Sequence, residues 1–297
     1  MSLRRKPDCP GGEGHGERGF TGFLRSLLSG IPWSERAERE ETITVVAPPG
    51  GVLRIHNSNG RTKVTGEERT DIEVTSYKTA RAESQEAAAE LLEEIQVVFT
   101  ETPEGLDLEV ETPRRWNRRG GAHLCVRVPQ SIMLAVSAAN GRVHIENIRG
   151  GVRAKSTNGA VCVDDVVGDV EIATSNAKVA CTCTRGRLTA RSSNGKIEID
   201  EHHGSIDAST SNGLIRARID ELGKEGIQMA TSNGRITLHL PEEVDAELDI
   251  RVDNGVIRND RSLEKTSRDS GGRVLGRLGS GGPMIKLRTS NGSVALH

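Results

Sequence analysis

Aromatic residues are scarce: three Phe, two Trp and one Tyr in 297 residues. Each aromatic buries a large apolar area, so their shortage argues against a broad conventional core. A narrow interior filled by Val, Ile, Leu, Ala and Thr needs none. A surplus of one charge sign is missing too. The 40 Lys and Arg nearly balance the 42 Asp and Glu, which leaves no long-range field to draw nucleic acid or acidic lipid over the whole surface. No apolar run approaches the roughly 20 residues of a membrane span. The N-terminus MSLRRKPDCPGGEGHGERG is basic but no apolar stretch follows it, so a cytoplasmic chain is expected, with membrane-peripheral contact as the variant. Cys9, Cys125, Cys162, Cys181 and Cys183 form an odd set without framework spacing, and reduced thiols are expected.

Catalytic and cofactor signatures are also lacking. There is no Gly-rich phosphate loop, nucleophile elbow or zincin motif, and the aspartates do not recur in a calcium-binding nonapeptide pattern. No catalytic residue, cofactor or metal is expected. Cys181 and Cys183 stand one repeat before His202 and His203. Cys181, however, falls in an apolar column where a thiol acts as a small hydrophobe, and no second pair has ligand spacing.

What the chain does have is a repeat. Asn-Gly or a close variant recurs at Asn140, Asn158, Asn176, Asn194 and Asn212 in steps of 18, then at Asn233 and Asn254 in steps of 21. Asn291 follows after 37 residues, and Asn59 stands alone upstream. Aligned on the Asn, apolar residues fall into columns. Six before it stand Leu134, Val152, Val170, Leu188 and Ile206; three after it stand Val143, Val161, Val179, Ile197 and Ile215. Polar residues alternate with them, which is strand periodicity. Each unit therefore reads as strand, Ser/Thr-Asn-Gly turn, second strand and a bend often containing Gly.

One unit cannot bury its inner face alone, so the units must stack. An antiparallel meander is the rival, because Asn-Gly is also a hairpin signal. Matching columns on both sides of the turn favour parallel stacking. The expected fold is all-β: a parallel, right-handed β-solenoid with rungs of 18–21 residues and one short α-helix in its N-terminal part. The asparagines are expected to form a structural ladder, with inward amides bonding up and down the stack. Outward columns show no regular Thr row.

Three regions are expected. Residues 1–41 read as a disordered tail with an amphipathic helix near 20–31, where Phe20, Phe23, Leu24, Leu27 and Leu28 share one face. That stripe would cap the stack, fill a partner's groove or touch a membrane surface through residues 20–33. Residues 42–137 read as an N-terminal β part with a helix near 84–95, capped by Ser84. Residues 138–297 read as the repeats, with RNDRSLEKTSRDSGGRVLGRLGSGGP as an insertion loop over 258–283. Arg114, Arg115, Trp116, Arg118 and Arg119 surround an aromatic with cations and form a candidate partner-binding cluster. A solvated hairpin tip is the plainer reading, since no wider basic face supports nucleic acid.

The motifs AVSAANGRVHIENIRGGV, TARSSNGKIEID, DASTSNGLIRARI and QMATSNGRITLHLPEEVDAELDIRVDNG, with the closing GSGGPMIKLRTSNGSVAL, resemble the bacterial putative-adhesin β-strand-repeat family over residues 42–297. The resemblance implies the repeat fold and a modest tilt towards binding; the family's function is largely uncharacterised and it has no catalytic residues to carry over. The first functional expectation is a non-enzymatic interaction or structural module, adhesin-like, with a protein or surface glycan as partner. The second is self-assembly through an open final rung, Ile285 to Leu296. The third is a carbohydrate-active solenoid enzyme.

Overall fold

The computed structural model describes residues 35–48, 50–112, 120–269 and 272–297. The chain opens with β1 (Glu35–Val46), β2 (Val52–Asn59), β3 (Thr62–Glu67) and β4 (Asp71–Ala82), then α1 (Gln85–Glu93). There follow β5 (Gln96–Thr102), β6 (Gly105–Glu111), β7 (Gly120–Pro129), β8 (Met133–Asn140) and β9 (Val143–Ile148). The repeats continue as β10 (Val152–Ser156), β11 (Val161–Val167), β12 (Val170–Thr174), β13 (Val179–Ser192), β14 (Ile197–Asn212) and β15 (Ile215–His239). The chain closes with β16 (Ala246–Asn259), β17 (Glu264–Asp269), β18 (Arg273–Leu278) and β19 (Met284–Leu296).

The repeats stack in parallel and in register. Before the Asn, Val152 lies beside Leu134 on one side and Val170 on the other; after it, Val161 lies between Val143 and Val179. Like sits on like because one rung follows the next at the inter-strand spacing of about 4.8 Å. The columns are closed to solvent: Leu134, Ile172, Leu188, Ile145 and Ile197 are all fully buried. Each such side chain contributes on the order of 1.5–3 kcal/mol relative to exposure, without any aromatic. The second corner repeats as well. Asn147, Asp165, Cys183 and Glu201, each 18 residues apart, all have positive φ, between 50° and 61°. There the strand turns back towards the next rung.

The N-terminal part belongs to the same sheet. β2 pairs in parallel with β8, and β3 with β9, so an early rung lies directly on the repeats. On the far side of β2 and β3, β6 and β7 pair with them in parallel, and only beyond those does the pairing turn antiparallel, in β5–β6 on one flank and in β1–β4–β7 on the other. The Ser84 side chain accepts from the Ala87 N–H at the start of α1, whose Ala88, Leu91 and Leu92 are buried; Ile95, just past it, is buried too. The expected tail is shorter than 1–41, since Glu35–Glu41 pair with β4 from Ser76 to Ala82. The helix expected near 20–31 lies outside the described residues.

Two expectations fail at the C-terminal end. The 258–283 segment is not a projecting loop: β18 pairs antiparallel with β16, and β17 with β18. Val274 and Leu278 are buried, which gives this charged, Gly-rich stretch an inner face. Ile285 to Leu296 is not an open rung either. β19 lies between β15 and β16, parallel to both, with Leu287 facing Met229 and Ile250. Strand order therefore departs from chain order, and Asn254 is two levels from Asn233. At this level the antiparallel β18 covers the first half of β16.

Candidate functional site

The corner that carries the asparagines is the most regular feature of the surface. Two residues before Asn158, Asn194, Asn212, Asn233 and Asn291, a Ser or Thr side chain ties down the bend. Ser156 and Ser192 accept from the N–H groups of Gly159 and Gly195. Thr210, Thr231 and Thr289 donate to the carbonyls of Gly195, Gly213 and Gly234. The glycine after the Asn is set by packing: a Cβ on Gly159 would lie 1.7 Å from the Gly141 carbonyl oxygen.

The Asn side chains are linked into one chain of eight hydrogen bonds at 2.8–3.1 Å in the spatial order Asn59, Asn140, Asn158, Asn176, Asn194, Asn212, Asn233, Asn291, Asn254, each Nδ2 donating to the Oδ1 of the Asn before it in that order. Eight steps of about 4.8 Å give a ladder roughly 38 Å long. Its amides face out rather than in. All are exposed save the half-buried Asn59, because the inward place at the corner is taken by the residue two earlier, Ser or Thr at most rungs, Ala138 before Asn140 and Val252 before Asn254. An amide offers two N–H donors and two acceptor lone pairs, so the ladder leaves one of each unspent on every member from Asn140 to Asn291.

A second row runs beside it. Thr157, Ser193, Ser211, Ser232 and Ser290 precede their asparagines, and all are exposed. In the sequence this row is hidden because it mixes Ser with Thr; the recurring Ser or Thr before Asn-Gly carries it. Near Ser211, Ser232 and Ser290 the edge borders a shallow cleft of about 430 Å³ flanked by Arg251, Asp253 and Arg288.

A second cleft, of about 560 Å³, crosses the outward face of β4, β7, β3, β9 and β11. At its centre Glu146 pairs with Lys63 at 3.0 Å, accepts from Thr65 at 2.9 Å and meets His144 Nε2 at 3.0 Å. Burial alone would raise its pKa, but these three partners hold it below the usual carboxylate range. Arg127 reaches Glu73 at 2.7 Å. Tyr77 and Thr75 form one wall and Asp164 the other.

Cys181 is a buried column residue, its pKa pushed up to about 12 by desolvation. His202 is buried against Thr184, whose hydroxyl lies 2.8 Å from Nδ1, while His203 faces Asp220 and Glu221 at 3.6 Å. Cys181, Cys183, His202 and His203 thus sit apart, and among the described residues no three His, Cys, Asp or Glu converge to hold a metal. Arg114, Arg115, Trp116, Arg118 and Arg119 lie outside the described residues, as do Phe20, Phe23, Leu24, Leu27 and Leu28. No helix among the described residues is long and apolar enough to cross a membrane.

A family model described as Toastrack DUF4097 matches residues 52–297. No curated protein matches the chain in sequence. Among solved structures, a putative adhesin from Parabacteroides distasonis shares 12% identity, with 88% of this chain and 97% of that one covered and a TM-score of 0.53. A putative adhesin from Parabacteroides merdae shares 13%, with 87% and 96% covered and a TM-score of 0.50. At such identities the likeness shows the fold alone.

Proposed function

Because the chain belongs to the Toastrack DUF4097 family, we propose that it is a non-enzymatic interaction module, adhesin-like, which meets an extended polar partner along its Ser/Thr–Asn edge. The observation that carries this reading is the pair of exposed rows. A buried ladder needs no further partner, whereas here each rung presents an amide with unspent hydrogen-bonding capacity beside a hydroxyl, at one fixed period. A straight polymer with its own regular polar groups, a surface glycan chain or an extended peptide segment, would match that period over several rungs. Rim contacts of this kind are individually weak and gain strength by number. The description of the two similar structures as adhesins supports the same reading.

The edge is tested by blocking it. Ser211→Arg and Ser232→Arg change exposed positions and should leave the thermal midpoint within a degree or two. Together they should abolish retention of the purified chain on an array of surface polysaccharides and extended peptides. Undiminished retention by the double variant would refute the edge as the contact surface.

A further inference from the structure

We propose that the cleft across β4, β7, β3, β9 and β11 is a separate binding site for a short neutral oligosaccharide. The site does not depend on the Ser/Thr–Asn edge, from which it differs in position and residues.

Its size fits. About 560 Å³ falls within the range of small-ligand sites, roughly 300–1,000 Å³. Five neighbouring strands span four steps of about 4.8 Å, roughly 19 Å in all, which is room for a few linked sugar rings. Its chemistry fits as well. Tyr77, the single Tyr of the chain, lines the cleft half-buried, and an aromatic ring is the platform on which the C–H face of a sugar packs while its tip stays wet. Around it stand hydroxyls and charges: Thr65, Thr75, Arg127, Glu146 and Asp164.

Most of these groups are already committed. Glu146 is held by Lys63, Thr65 and His144, Arg127 by Glu73, and Thr75 lies 3.2 Å from the Thr42 hydroxyl. They form a polar surface fixed in place before any ligand arrives, which lowers the ordering cost of binding. Asp164 is different: its side chain is half-buried and has no hydrogen-bond or ion-pair partner among the described residues. A half-buried carboxylate without a partner is best matched by a ligand that brings donors, and vicinal sugar hydroxyls do so. The selection against acidic sugars follows from charge. Glu67, Glu146 and Asp165 are paired with Arg69, Lys63 and Arg149, which leaves the Asp164 carboxylate as the uncompensated charge that a uronic or sulfated sugar would meet with repulsion.

The test uses the full chain and named probes: cellotriose, maltotriose and triacetylchitotriose as neutral ligands, and a sulfated heparin trisaccharide as the acidic control, each titrated calorimetrically. At least one neutral probe should bind and the acidic one should not. Tyr77→Ala and Asp164→Asn should each weaken that binding about tenfold or more, while Tyr77→Phe, which keeps the ring, should restore most of it. Ser211→Arg should leave it unchanged, so failure at the cleft and failure at the edge are told apart. Thermal midpoints of all variants show that they fold. Binding of none of the neutral probes, tighter binding of the acidic one, or full affinity in Tyr77→Ala would each overturn the proposal.

Discussion

At the scale of single residues, one of the buried polar groups carries a pH dependence. His202 stands in a column otherwise built of Ile148, Val166, Thr184 and Ile219, and it is 1% exposed. Thr184 meets its Nδ1, while Nε2 has no partner. Burial pushes its pKa down to about 4, so the folded protein holds it neutral. In the unfolded chain it would titrate near the ordinary value of about 6.5. A depressed folded pKa stabilises the fold above pH 6.5, and that contribution, about 3 kcal/mol at most, is lost as pH falls from there towards 4. Midpoints measured between pH 7.5 and 4.5 should fall, and His202→Leu should remove much of the fall. An equally steep profile in the variant would place the sensitivity elsewhere.

At the scale of elements, the ends of the sheet are where design against association shows. Among the described residues β1 pairs with β4 alone, and an outer strand with bare N–H and C=O groups invites pairing with another chain. Its outward residues include Arg36, Glu38, Arg39 and Glu40, with Arg36 paired to Glu38 and Arg39 to Glu93. Charges on an edge make stacking of a second copy costly. Replacing Arg36, Glu38 and Glu40 with Thr should cause concentration-dependent light scattering without lowering the midpoint much; a monodisperse variant would show that the charges are not what protects this edge. Such elements also mark what the sequence discloses. The columns around Asn140 to Asn212 are legible because inward packing repeats every 18 residues. β17 and β18 are not, because RNDRSLEKTSRDSGGRVLGRL has little apolar content, with Val274 and Leu278 buried and Leu263 packed partly against the core. Nor is the Tyr77 cleft, whose walls come from positions between 63 and 165 and meet only when five strands align.

At the scale of the whole molecule, the stack is held by neighbour upon neighbour, and β19 is the neighbour that two rungs share. It faces Ile227 to Leu238 of β15 on one side and Glu247 to Asn259 of β16 on the other. A chain lacking residues 284–296 would leave both strands with unpaired backbones and uncovered columns. It should bind hydrophobic dye and lose its single cooperative transition, and a synthetic peptide of 284–296 added in trans should restore part of it. An unchanged transition in the shortened chain would mean that β15 and β16 close on one another. The 37-residue gap before Asn291, which reads in the sequence as an interruption, is thus the path by which the chain comes back to fill a vacant level.

That return path also sets an order of events. As the polypeptide leaves the ribosome, each level from β8 and β9 onward can settle on the one before it only as far as β15. β16, β17 and β18 emerge next but have no finished floor to rest on until β19 slides in beneath them. Growth by simple vectorial addition therefore stops at that point, and the last two levels of the stack close as a unit, with the amide of Asn291 joining Asn254 to the rest of the ladder.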